Sequence, residues 1–408
     1  MIGSLRRPFL FSGAPVRALS LCKGGVMADA AGVAPLALSA TQQLQGATAR
    51  RPRALLKAGG QSLPLKSFRC DENSFYQANT FHAALAFSAM PAGYGLEWWS
   101  DRDQIDVEIF AGFPPDPSHF TTNDLESLFY GRVDAVEDIA LDAGTFAISG
   151  RDLTGRMIDT KTSEKYPNLT ASQIAGLLAA KYGLTPVIAA TATKVGRYYE
   201  VDSVRSQSDR TEWDLLTWLA REEGFNVFVR RRELHFGPAG GDGTPYVLTY
   251  RAPTAEETAA ANATAIKLSR NLTLTKPIKV VVRSWHAKDK ATFQRTATSA
   301  PTGQAGKGKG AEAPQVYTRN IPGLDPAKAQ DRANQILAEL MKHERKLSFE
   351  GPADVGLTAG GTIQLVGTGS AFDQSYFPES IVREGGEDEG YRWSVSAKNR
   401  SPELGGEA

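Results

Sequence analysis

Apolar and polar residues alternate with period two from Leu55 onward, the spacing of strands that bury one face. A first run reaches the Gly59-Gly60 turn, a second covers Leu63 to Cys70, and a long one covers Tyr76 to Met90. Ile105-Asp106-Val107-Glu108-Ile109-Phe110 is a clean alternation. The loop Phe113-Pro114-Pro115-Asp116-Pro117 follows, and its prolines have no N–H to place in a ladder. Ser127–Ile139 and Thr145–Arg151 read as strands joined at Asp142-Ala143-Gly144. Antiparallel strands at this spacing predict a barrel or a sandwich.

The period then changes. Thr170 with Gln173 forms a capping box, Ile174, Leu177 and Leu178 make a helical stripe, and Gly183 with Pro186 ends it. A second helix is predicted from Asp209, with Glu212 three residues on, through Trp213, Leu216, Leu219 and Ala220 to Gly224. A strand pair, Asn226–Arg230 and Glu233–Phe236, comes straight after. Strands resume at Ile266–Leu274 and Ile278–Ser284, and a Gly/Lys/Pro loop spans Pro301 to Pro314, with a short strand near Val316. A helix opens with Asp325 as N-cap and Pro326 in its first turn, and its stripe is Ala329, Ala333, Ile336, Leu337, Leu340 and Met341. Lys346–Glu350, Thr362–Val366, Tyr376–Val382 and Arg392–Ala397 complete the strands.

These elements predict two β domains, each interrupted by helical material. We expect a flexible leader over 1–52 and a first β unit over 53–157, completed by about 226–251. A helical α/β insert occupies 158–225 and a linker 252–264. The second β unit is 265–400, interrupted by a helix at 325–345, with a tail at 401–408. The 408 residues suit this division, and 41% hydrophobic content supplies real cores. The net charge of +1 gives no global field toward nucleic acid or membrane. Cys22 and Cys70 make no metal or redox spacing, which excludes a disulfide framework and suits a reducing cytoplasm. Arg6 and Arg7 precede a semi-apolar stretch, but Gly13, Pro15 and Arg17 break it, and Leu21 stands where a lipoprotein signal takes a small residue. The stretch reads as a leader, or as an over-extended start with Met27 as the real first residue.

Candidate chemistry changes this picture little. His82, His119, His235, His286 and His343 have no metal-ligand spacing; His343-Glu344 begins a zincin motif that Leu347 breaks. Gly303–Gly310 contains Gly-Lys but lacks the spacing and the Ser/Thr of a phosphate loop, so it reads first as a flexible loop between strands, with contact of Lys307 and Lys309 to an acidic partner as the alternative. Asp101, Asp103 and Asp106 lack the glycine and distal glutamate of a calcium loop. Trp98-Trp99 reads as barrel aromatics or an interface anchor before a sugar platform. Arg230-Arg231-Arg232 sits at a hairpin turn, solvated or contacting a partner subunit. No nucleophile elbow or Cys/His pair is present, so no catalytic, metal or cofactor-binding residue is expected.

Three stretches resemble the gp27-like baseplate hub family of contractile phage tails, which includes the hub of Mu-like phages and the late control protein D of P2-like phages. Gly150-Arg151-Asp152-Leu153-Thr154-Gly155-Arg156-Met157-Ile158-Asp159 is similar to the family's strand exit. Thr170–Gly183, Ser208-Asp209 and Leu215–Phe225 are similar to its helical insert, and Leu357–Ile363 with Tyr376–Arg383 and Tyr391–Asn399 to its last strands. Ala359-Gly360 departs from a frequent Pro-Gly.

The resemblance implies a β-rich α+β fold with two tube-protein-like β-barrels interrupted by helical insertions. It implies a homotrimer joining a hexameric tail tube to a trimeric spike and forming part of the ejection channel. Tail tube protein, central spike protein and other baseplate proteins are then the partners, with DNA met only in transit and no stable membrane association. The expected place is the virion tail baseplate, after assembly in the host cytoplasm. The function is structural, not enzymatic, and needs no cofactor. A hub of a bacteriocin or secretion-type contractile system, a tail-associated peptidoglycan hydrolase and a carbohydrate-binding β protein remain as alternatives.

Overall fold

The computed structural model describes residues 51–73, 76–162, 164, 166, 168–192, 194–195, 210–238, 244–271, 277–286, 291–299, 314–321, 324–341, 345–386 and 390–399. Residues 1–50 of the leader, Asp209, Lys307, Lys309, His343 and the tail lie outside them.

The first strands are β1 (Arg53–Ala58), β2 (Gln61–Pro64), β3 (Ser67–Asn73) and β4 (Thr80–Ala86). After helix α1 (Leu96–Ser100) come β5 (Asp106–Gly112), β6 (Glu126–Ala140) and β7 (Thr145–Asp152). Helices α2 (Thr154–Asp159) and α3 (Ala171–Lys181), strand β8 (Thr185–Ile188), helix α4 (Glu212–Glu223) and strands β9 (Phe225–Arg230) and β10 (Glu233–Pro238) follow. Next are β11 (Tyr246–Arg251), β12 (Ala260–Ala261), β13 (Thr264–Arg270), β14 (Ile278–His286), β15 (Ala291–Thr298) and β16 (Gln315–Asn320). Helix α5 (Pro326–Met341) precedes β17 (Arg345–Pro352), β18 (Ile363–Val366), β19 (Ser375–Gly386) and β20 (Gly390–Asn399).

The expected pair of β-barrels is not what forms. Among the described residues one 14-stranded sheet runs β12-β11-β18-β19-β3-β4-β7-β6-β5-β1-β2, with β20, β17 and β13 branching from β19, and no sheet closes on itself. The reason lies in β19. Its length lets one edge pair with β20 throughout, while the other edge takes β18 at Tyr376 and β3 from Ser380 to Gly386. To close the first half, β2 would have to reach the edge of β3 that β19 occupies. Instead β2 stops at Pro64 after four residues and pairs with β1 alone. The sheet is also mixed, because β11 and β18 run parallel.

Two smaller sheets stand apart, β8-β10-β9 and β15-β14-β16. Three apolar cores result among the described residues. The largest spans the big sheet and includes Phe81, Trp99, Phe146, Phe349, Tyr376 and Trp393. The second packs α3 and α4 on β8-β10-β9 through Ile174, Leu178, Leu216, Leu219, Val227 and Phe236. The third packs α5 on β14 and β15 through Ala329, Ala333, Leu337 and Met341 against Ile278, Val280 and Val282. Burying each such branched side chain is worth about 1.5–3 kcal/mol, so the stripes hold the helices in place.

Helix ends follow local chemistry. Thr170 and Gln173 close the predicted box on α3. On α4 the box uses Thr211 and Asp214, and Gly224 ends the helix in the left-handed region at φ +69°. Asp325 accepts from the Lys328 N–H at 2.8 Å, capping α5. The predicted run Tyr76–Met90 is strand only over β4 and then turns in a short 3-10 segment, Phe87–Ala89.

Candidate assembly interface

The chain leaves the large sheet through Gly150-Arg151-Asp152 at the end of β7. The Arg151 guanidinium donates to Asp134 Oδ2 on β6 at 2.7 Å and to both carboxylate oxygens of Asp159 on α2 at 3.0 and 2.9 Å. A fork between two carboxylates is a geometry lysine cannot make. The bonds to Asp134 and then Asp159 hold Arg151 above its ordinary value, and Arg151 holds the Asp159 carboxyl below its own. The clamp ties the β6–β7 pair to the first helix of the insert.

Asp152, the next residue, is buried, and its Oδ1 accepts the Thr154 N–H at 3.0 Å. Burial pushes its carboxyl up to about 7 against those hydrogen bonds. The Asp152 N–H donates to Asn79 O at 2.9 Å. Asn79 in turn accepts the Asn73 N–H at 2.8 Å and donates to Val229 O at 3.3 Å. Strands β3, β7 and β9 thus meet on one asparagine, which fixes the small sheet against the large one.

The arginine hairpin makes the same joint. Arg231 sits at φ +54° in the β9–β10 turn and donates to Ser127 O on β6 at 2.7 and 3.1 Å. Arg232 donates to the Tyr130 hydroxyl at 2.7 Å and stacks 4.4 Å over that ring. Arg230 stays in β9 opposite Glu233. Arg231 and Arg232 therefore bind β6 of their own chain.

The remaining candidates do not converge. Trp99 is buried, and the exposed part of Trp98 carries Arg102 at 4.6 Å and Tyr94 at 4.7 Å, which leaves little open ring for a sugar. Asp106 pairs with Arg132 at 3.1 Å, whereas Asp101 accepts from the Ser100 hydroxyl. His119 lies beside Asp116, and His235 stacks on Phe228 at 4.7 Å. Among the described residues no group of His, Cys, Asp and Glu is placed to hold a metal ion. No helix among them is long and apolar enough to cross a membrane.

What does assemble is a set of edges and a seam. Among the described residues β2, β12 and β13 each pair on one side only within the large sheet. The β19–β3 seam is locked by Arg383, buried and paired with Glu72 at 2.8 Å. Sequence reasoning missed this pair and the Arg151 clamp. Gly150-Arg151-Asp152 marked the clamp's place, but residues 311 positions apart leave no local pattern.

The model of the phage tail baseplate hub (GPD) family matches residues 121–388. No curated protein matches significantly. The tail protein from Neisseria meningitidis MC58 superposes with a TM-score of 0.60 at 14% identity, over 86% of this chain and 97% of that one. The 43 kDa tail protein of prophage MuSo2 from Shewanella oneidensis gives 0.57 at 13% identity, over 85% and 98%. Prophage tail protein gp18 from Listeria monocytogenes EGD-e gives 0.50 at 10% identity, over 84% and 94%. These likenesses establish a shared fold. With the family model spanning more than half of its length, the chain belongs to the phage tail baseplate hub (GPD) family, a structural family of the phage tail and not one of enzymes.

Proposed function

We propose that the chain forms a homotrimer that joins a hexameric tail tube to a trimeric spike and lines part of the ejection channel. The observation that carries this reading is the division of the 14-stranded sheet. β1–β7 come from before the insert and β11–β13 with β17–β20 from after it, and the two seven-stranded halves meet on β19. Three chains then offer six β halves to a six-subunit tube without six identical subunits. The one-sided edges β2, β12 and β13 supply ladder groups for neighbouring chains.

In this reading the work is mechanical. The trimer assembles in the host cytoplasm, holds the spike, closes the tube and passes DNA once the spike leaves. Its partners are the tail tube protein, the central spike protein and other baseplate proteins. Native mass spectrometry and sedimentation of the full chain test it. A stable trimer that co-sediments with tube protein is the expected result, and a monodisperse monomer at assembly concentrations overturns it.

A further inference from the structure

Helix α5 covers one face of the β15-β14-β16 sheet and leaves the other open. Ile278, Val280, Val282 and Ser284 are buried on the helix side of β14. The alternate residues Lys279, Val281, Arg283 and Trp285 form the central row of the opposite face. Val281 is buried, but Trp285 is 47% exposed, and Val316, beside Lys279 in register, is 55% exposed. The three strands contain no Asp or Glu. Neither Lys279 nor Arg283 has an ion-pair partner among the described residues. The face is cationic, with Trp285 at one end and Val316 at the other.

The β6–β7 hairpin has the opposite character. Residues 133–150 contain no Lys or Arg. Asp134 is engaged by Arg151, but Glu137, Asp138 and Asp142 are exposed with no ion-pair partner among the described residues. Ile139 is 44% and Leu141 73% exposed. Of the seven large apolar side chains exposed among the described residues, four lie on these two surfaces. Exposed apolar groups rimmed by one sign of charge mark interaction sites.

We propose that the acidic β6–β7 hairpin of one copy docks on the cationic β15-β14-β16 face of the next copy. Leu141 meets Trp285, Ile139 lies along the row between Trp285 and Val316, and Asp142 and Glu137 meet Arg283 and Lys279 in that order. A symmetric contact of either surface with itself would oppose like charges. Made once at each interface, the complementary contact is heterologous, and its repetition by a rotation that closes gives a ring. The inference rests on the trimer reading above and deepens it by naming the surfaces.

A charge-swap series in the full chain tests it by native mass spectrometry and sedimentation at physiological salt. The wild type is a trimer that weakens as salt rises. Lys279→Glu with Arg283→Glu, or Glu137→Lys with Asp142→Lys, raises the concentration for half-assembly about a hundredfold. The four changes combined restore opposite charges at every contact and recover the trimer, which also shows that the variants fold. A wild-type trimer indifferent to either pair of changes, or a combined variant that stays monomeric, overturns the surface assignment alone. A monomeric wild type overturns the trimer reading and this pairing with it. Retained trimer with lost binding of duplex DNA in the Lys279/Arg283 variant would reassign the cationic face to a polyanion and also overturn the pairing.

Discussion

Arg383 on β19 donates to Glu72 on β3 at 2.8 Å, joining residues 311 positions apart at the seam of the two sheet halves. Arg383 also donates to the carbonyls of Leu357 and Asp354, so its fork is satisfied on two sides. Removing one member of a buried pair strands the other, at a cost of about 3–5 kcal/mol. Arg383→Met should therefore lower the urea midpoint of the large-sheet transition strongly. Combining it with Glu72→Gln should recover part of the loss. An additive double mutant would mean that the pair is not coupled.

The second oxygen of Glu72 accepts the Ala359 N–H at 2.9 Å. Proline at that place has no N–H to give, so the bond to Glu72 would be lost. Ala359→Pro should cost about 1–3 kcal/mol, the usual penalty for an acceptor left short in a partly buried site. Thermal melting of the variant in the Glu72→Gln background should show a smaller loss.

Asp152 predicts a pH dependence with a definite sign. Burial raises its carboxyl from the ordinary 3.8 to about 7, so the folded chain holds a proton that the unfolded chain releases. Its contribution is fully present below pH 3.8 and is lost as pH rises to about 7. Asp152→Asn keeps an acceptor for the Thr154 N–H and removes the titration. The variant should melt higher than wild type above pH 7, with the difference shrinking toward pH 4. Parallel melting curves across that range would refute the assignment.

Gly131 and Gly150 face each other's strands with no room for a side chain. A Cβ on Gly150 would lie 2.0 Å from Arg132 O, and one on Gly131 2.3 Å from Arg151 O. Both obstacles are backbone, so neither can move without parting β6 from β7. Either glycine changed to alanine should destabilise the chain by several kcal/mol and disturb the Arg151 clamp beside it. Hydrogen exchange at the β6–β7 ladder would report the parting directly.

Local signals carried far in this sequence and long-range ones did not. The capping box at Thr170, the stripe of α5 and the alternation of β5 are each set by neighbours within a turn or two, and all three appear where expected. The cap of α4 shifted from Asp209 to Thr211 because Thr211 and Asp214 offer a second box of equal chemistry. Strand β15, Ala-Thr-Phe-Gln-Arg-Thr-Ala-Thr, was missed because hydroxyls on its open face blur the alternation. Whether the sheets close depends on which edge β19 chooses, and no periodicity encodes that. Of the site, the hairpin arginines were legible as residues but not as ties to Ser127 and Tyr130.

Glu212 offers a contrast with Arg383. It is fully buried at the start of α4 and accepts from Lys181 Nζ and from the Tyr182 hydroxyl at the end of α3. Lys181 is 44% exposed, so on losing its partner it can turn to water. Tyr182 is buried and cannot. Glu212→Gln keeps an acceptor for Tyr182 and should cost about 1 kcal/mol, the scale of one hydrogen bond plus a screened charge. Glu212→Leu strands the hydroxyl and should cost more, while Glu212→Leu with Tyr182→Phe should return most of that difference. Chemical denaturation of the three variants ranks them. If Gln and Leu prove equally damaging, the buried charge and not the Tyr182 bond holds α3 to α4.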